Sequence, residues 1–154
     1  MIKKNLFNFI FVIIIFFTDR LTKYLILKSF EETENSEIII SSFLNFNLIW
    51  NDGIAFGLFS FDEKTYYNLL TVLIVIITLI ILWMITRTKG LEKISFLMVF
   101  GGSLGNIFDR IYYSSVPDFI DLHFYNFHWF IFNVADIFIT SGIILLIFLE
   151  IFRK

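Results

Sequence analysis

Residues 65–86 read TYYNLLTVLIVIITLIILWMIT, 22 positions without a charge. A helix needs about 20 mainly apolar residues to cross the hydrocarbon core of a bilayer, so this stretch predicts a membrane span. Three further segments extend the pattern outward. The first covers residues 6–27 and is interrupted near its far end by Asp19, Arg20 and Lys23. Another, about residues 94–109, is shorter and ends in Asp109-Arg110. The last, about residues 129–149, carries Asp136 inside it. The expected fold is therefore a mainly α membrane protein, one integral membrane domain over residues 1–154 with four transmembrane helices.

Composition agrees with this. Of 154 residues, 58% are hydrophobic, 20% aromatic and 17% charged, and mean hydropathy is +0.81; soluble domains carry about 25% charged residues. That excludes an ordinary water-soluble globule and a disordered chain. A net charge of -2 leaves no broad basic face for nucleic acid, and the lack of cysteine removes disulfides, thiolate metal sites and a cysteine nucleophile. Small residues are scarce: two alanines (Ala55, Ala135), one proline (Pro117) and seven glycines among 22 Phe and many Ile. No small-x-small cleavage site follows Lys3-Lys4 and the first apolar run, which reads as a retained helix.

Orientation follows from loop cations. With four spans, Lys3, Lys4, Arg87, Lys89, Lys93, Arg153 and Lys154 share one side, which predicts cytoplasmic termini. The segment 28–64 falls outside and is rich in Glu and Asp. Within it Leu44, Phe46 and Leu48 alternate with Asn45 and Asn47, the period of a half-buried strand. Ile38 to Ile40 supplies a partner, so a small sheet between helices 1 and 2 is expected on the membrane surface, with Trp50 at the interface.

Charged side chains inside a span cost on the order of 2.5–3.5 kcal/mol each at its centre, so their placement is informative. Asp19 and Lys23 lie four apart and stack on one face. Gly102, Asn106, Asp109 and Arg110 share another face, as do Asn133, Asp136 and Thr140. All three polar faces end on the external side. One reading is that they knit the bundle together through interhelical hydrogen bonds worth about 0.6–2 kcal/mol each. Gly101, Gly102 and Gly105 then mark close helix contact.

Asp136 and Asp118 differ: Asp136 lies about seven residues into its span and has no sequence-local cation. Asp118 follows the only proline in Val116-Pro117-Asp118-Phe119-Ile120-Asp121, and Pro117 biases the preceding residues to extended backbone, so the carboxylate is presented rigidly. Two partly desolvated carboxylates held together share a proton. One can then act as general base on a water while the other protonates a carbonyl, which hydrolyses amides without metal or cofactor. A proton-relay pair in a small proton-coupled carrier, a structural Asp in a wet cavity and a helper subunit remain open on spacing alone. His123 and His128 flank an aromatic stretch; without HExxH spacing or cysteine they read as interfacial packing rather than a zinc site.

Five blocks resemble the bacterial lipoprotein signal peptidases (signal peptidase II): Asp19-Arg20-Leu21-Thr22-Lys23, Asn51-Asp52-Gly53-Ile54-Ala55-Phe56-Gly57, Gly101 through Arg110, Val116 through Asp121, and Phe132-Asn133-Val134-Ala135-Asp136. They stand in the family's order and span essentially the whole chain. The resemblance implies a four-helix aspartyl endopeptidase of the bacterial inner membrane with its small sheet on the periplasmic side. It implies cleavage of prolipoproteins just before a diacylglyceryl-modified cysteine; membrane lipid is the other expected partner, and a monomer is the expected state. The family's catalytic pair falls on Asp118 and Asp136. Its supporting and substrate-binding positions fall on Asp19, Lys23, Asn51, Gly53, Asn106, Asp109, Arg110, Asn133 and Ala135.

Overall fold

The computed structural model describes residues 2–33, 37–53, 63–125 and 127–153. Its order is α1 (Ile2–Thr33), β1 (Ile38–Ile39), β2 (Leu44–Asn51), α2 (Glu63–Arg87), α3 (Gly90–Tyr113), β3 (Val116–Phe124), β4 (Phe127–His128) and α4 (Val134–Ile151). The molecule is mainly helical with a small antiparallel sheet. Tyr67–Arg87 and Val134–Ile151 are each long and apolar enough to cross a bilayer.

Helix α3 is the hub and packs against the other three helices. Close approach is possible because its facing positions are small. A Cβ on Gly101 would lie 3.0 Å from Ile15, and one on Gly102 would lie 2.5 Å from the Ala135 carbonyl oxygen on α4. Gly142 of α4 returns the contact, its Cβ position being 2.7 Å from the Ser95 carbonyl oxygen. Towards the other end Val12, Ile85, Phe96 and Leu97 form a buried apolar cluster. Phe7, Phe9, Ile14, Phe17 and Leu21 of α1 are instead largely exposed, while Asp19 and Lys23 on the same helix are buried. Apolar side chains facing out and charges facing in are the reverse of a water-soluble helix, and they mark a membrane protein.

The sheet corrects the expectation from sequence. Its order is β1-β2-β3-β4, so half of it comes from the segment after α3 rather than from between α1 and α2. Strand β2 pairs β1 at Ile38–Phe46 and pairs β3 from Leu44–Leu122 to Asn51–Val116, with a bulge between Phe46 and Ile49. The physical reason is pairing: a two-residue β1 leaves most of β2's backbone groups unmatched, and β3 satisfies them along its other edge. Pro117 and two aspartates concealed β3 in the sequence, since proline and aspartate are depleted in strands. Asn45 is the buried residue of β2, its side chain donating to Glu37 at 2.5 Å.

The last helix also differs. It begins at Val134, not near Trp129, because Phe132 is still extended and exchanges backbone hydrogen bonds with Ile120 at 2.7 and 3.2 Å. Hydropathy alone cannot separate an apolar strand edge from an apolar helix. Helix α3 ends at Ser114, which takes the left-handed conformation (φ 58°) and turns the chain into β3.

Candidate active site

Polar residues of separate elements meet where the sheet joins the helical bundle. Asn133 is their organiser. It caps α4, its side-chain oxygen accepting from the Asp136 amide at 3.1 Å, while Asp136 accepts in return from the Asn133 amide at 3.1 Å. This reciprocal capping box places Asp136 in the first turn of α4, not seven residues deep as a span starting at Trp129 implies. The remaining Asn133 amide group donates to Asp118 at 2.6 Å. One buried asparagine therefore holds both carboxylates, and Asp136 lies near enough for its charge to act on Asp118.

Each carboxylate has a second amide donor. Asn51, at the end of β2, donates to Asp118 at 2.8 Å, and Asn106 of α3 donates to Asp136 at 2.8 Å. Asn51 is itself oriented by the Gly53 amide, which donates to its side-chain oxygen at 2.8 Å. Gly53 has φ +76°, a region other residues adopt at a cost. Asp118 is 4% exposed. Burial pushes its pKa up from the ordinary carboxylate value to about 6; the Asn51 and Asn133 hydrogen bonds pull it down, and the nearby Asp136 charge pushes it up.

Beneath the pair lies a fully buried charge network. Lys23 donates to Asp109 at 2.6 Å, to Asn106 at 2.9 Å and to Asp19 at 3.0 Å. Asp19 also accepts the Ala135 amide at 3.0 Å, so α1 satisfies one of the orphan donors that open α4. Gly105 makes room for this, since a Cβ there would sit 2.6 Å from the Asp19 carboxylate. Lys23 and Asn106 connect this network to Asp136.

Of the eleven residues singled out from sequence, Asp118, Asp136, Asn51, Gly53, Asn133, Asn106, Lys23, Asp19, Asp109 and Ala135 form one connected arrangement. Arg110 lies at its edge. Its guanidinium donates to the Asn106 carbonyl at 3.2 Å, and among the described residues no carboxylate lies within ion-pair range of it. Asp109, its neighbour in the chain, pairs instead with Lys23 and Arg20. Arg20 is a residue the sequence reading left out: it bridges Asp19 at 2.9 Å and Asp109, and packs over Phe108 at 4.8 Å. Its place next to Asp19 in the motif was the available signal. The Asn-x-x-Asp spacing of the capping box was legible too. Ala55 and Gly57 lie outside the described residues.

Beside Asp136 opens an apolar cavity of about 500 Å³, whose walls include Phe43, Phe124, Phe130, Phe132 and Ile137. Of the two carboxylates, Asp136 lines this cavity.

The signal peptidase II family model, Signal peptidase (SPase) II, matches residues 11–152. The chain belongs to the signal peptidase II family. A lipoprotein signal peptidase of Pelagibacter ubique (strain HTCC1062) is 50% identical over 150 residues, covering 97% of this chain and 90% of that protein. Another, from Wigglesworthia glossinidia brevipalpis, is 41% identical over 142 residues and covers 89% of each. Two solved structures of a bacterial membrane enzyme share the fold, with TM-scores of 0.78 and 0.73 at 26% and 25% identity, covering 96% and 94% of this chain and 94% and 87% of those chains.

Proposed function

We propose that this protein is an intramembrane aspartyl endopeptidase that removes signal peptides from prolipoproteins, cutting before a diacylglyceryl-modified cysteine. Family membership supports the peptidase activity and the class of substrate. The observation that carries the mechanism is Asn133 hydrogen-bonding both Asp118 and Asp136. In this reading the two carboxylates share one proton and titrate as a pair. The ionised member takes a proton from water, whose oxygen attacks the scissile carbonyl carbon. The protonated member gives its proton to the carbonyl oxygen, forming a neutral gem-diol. Collapse of the diol breaks the C–N bond: the departing amine takes up the proton that came from water, and one diol hydroxyl returns its proton to the carboxylate that had protonated the carbonyl, so the pair again holds one proton. The raised pKa of Asp118 favours proton sharing near neutral pH.

A helical signal peptide has its carbonyls bonded within the helix and must be opened at the cut. Freed amides at membrane depth need new partners. Arg110, with no carboxylate partner among the described residues, and Asn51 at the sheet end are placed to supply them. The apolar cavity takes the flanking side chains and lets the lipid chains stay in the bilayer.

The four-span arrangement follows the same reading. Strands from both connections form one sheet, so the end of α1, the start of α2, the end of α3 and the start of α4 lie together. Arg87, Lys89, Lys93 and Arg153 belong to the opposite end, which the positive-inside rule assigns to the cytoplasm. Charges in α1 and α3 lower their hydropathy, but those of Asp19, Lys23 and Asp109 are buried inside the bundle. The sheet and the dyad then stand at the periplasmic face of the inner membrane, in a protein acting as a monomer.

The test is incubation of purified protein with one lipidated and one unlipidated prolipoprotein. Cleavage of the lipidated form alone is expected, and Asp118→Asn or Asp136→Asn abolishes it while the fold is retained. Normal turnover by either variant overturns the mechanism.

A further inference from the structure

Strand parity and pairing bring three metal-ligating side chains together away from the carboxylate pair. Asp121 and His123 are two apart on β3 and therefore project from the same face. His128 on β4 lies directly opposite His123, and the two imidazoles stack with centroids 5.2 Å apart. Each of the three residues offers a ligand atom, and these atoms all lie within 4.8 Å of one another. Asp121 is 2% exposed, and its carboxylate contacts His128 Nδ1 at 2.9 Å. His123 Nδ1 is buried and has no hydrogen-bond partner among the described residues.

We propose that Asp121, His123 and His128 form a binding site for a divalent transition metal of the zinc class, which staples the β3–β4 hairpin. Zinc binds imidazole nitrogen and carboxylate oxygen at about 2.0–2.2 Å in tetrahedral geometry, so ligand atoms sit roughly 3.3 Å apart. The Asp121–His128 contact is already shorter than that, and a metal there replaces the proton the two share. His128 then keeps its remaining proton on Nε2. His123 closes the set by a side-chain adjustment that supplies its unpartnered nitrogen with a ligand role. Because the His128 side chain is 52% exposed, the fourth position faces solvent and takes a water. Aspartate, two histidines and water suit zinc better than calcium or magnesium, which favour all-oxygen sets. None of the three residues hydrogen-bonds to Asp118 or Asp136, although His123 also lines the apolar cavity beside Asp136, so the metal's role is structural. It holds the hairpin whose Phe124 and Phe127 line the apolar cavity.

The experiment titrates the full chain, tag-free and in detergent, with zinc chloride against a chromophoric chelator, and follows thermal unfolding with and without zinc. One zinc per chain and a zinc-dependent rise in Tm are expected. Loss of one ligand, in His123→Phe or His128→Phe, weakens zinc binding by about tenfold or more, since even outer partners of zinc ligands are worth 10–100-fold. His123→Phe keeps the aromatic stack and removes no hydrogen bond found here, so its melting without zinc stays close to that of the parent. Absence of stoichiometric binding, or equal binding by the parent and the His123→Phe/His128→Phe double variant, overturns the proposal.

Discussion

Lys23→Met isolates the buried charge network from everything else. The lysine is 2% exposed and neutralises two carboxylates that are both fully buried, Asp19 and Asp109. Methionine fills nearly the same volume, so packing survives while the ammonium and its three hydrogen bonds are lost. Hydrogen bonds to charged groups contribute about 1.5–3 kcal/mol each. Three such bonds overstate the loss, because Arg20 still pairs both carboxylates. The expected cost is that of breaking a buried ion pair from one side, about 3–5 kcal/mol. For a chain of this size that lowers Tm by roughly 6–20 °C. The assay is thermal unfolding in detergent at neutral pH. The decisive comparison adds Asp109→Asn to Lys23→Met. Removing the stranded charge as well recovers at least half of the loss, since a buried pair exchanged for neutral groups is often close to neutral. A single variant within 1 kcal/mol of the parent, or a double variant no better than the single, refutes the reasoning. It would mean that water or rearranged helices already solvate these charges.

The Asp118 carboxyl makes stability depend on pH. Its folded pKa of about 6 exceeds the ordinary 3.8, so its contribution is complete below the unfolded value and is lost as pH rises through 6. The full difference is about 3 kcal/mol; Asp118→Asn flattens this part of the unfolding profile between pH 4 and 7, and parallel profiles would contradict it. Gly102→Ala drives a methyl against the Ala135 carbonyl oxygen, 2.5 Å away and fixed in α4's backbone. About 1–3 kcal/mol of destabilisation is expected, and an unchanged melting curve would show that α3 and α4 are less closely packed. Asn133→Ala removes the α4 cap, worth about 0.5–2 kcal/mol, and frees both carboxylates from their common anchor. Its kcat on a lipidated prolipoprotein should fall far more than its stability, and a proportionate loss of both would assign Asn133 to folding alone.

How much of the site was legible depended on the range over which each residue acts. Lys23 pairing with Asp19 is a local helical geometry, and spacing of four suffices to see it. The Asn133–Asp136 capping box is equally local, although the apolar run before it hid the start of α4. Strand β3 was not legible, because its proline and aspartates contradict strand propensity and only the unpaired edge of β2 makes it a strand. Arg110 shows the same limit: its neighbour Asp109 is taken by Lys23 and Arg20 from another helix.

The amino-acid sequence by itself determined that this chain belongs in a membrane, that the charges inside its apolar spans cluster near one end of the helices, and which family it joins. Those properties rest on composition, local period and ordered motifs. Only the tertiary structure decided that Asn133 touches both carboxylates, that the sheet draws on two distant connections, and that Asp121, His123 and His128 share a face. The sheet depends on backbone pairing between segments far apart in the chain, and the other two on how β3 pairs with the chain that follows it. Such pairing is governed by which hydrogen-bonding edges are left unmatched, and no local pattern of side chains encodes that.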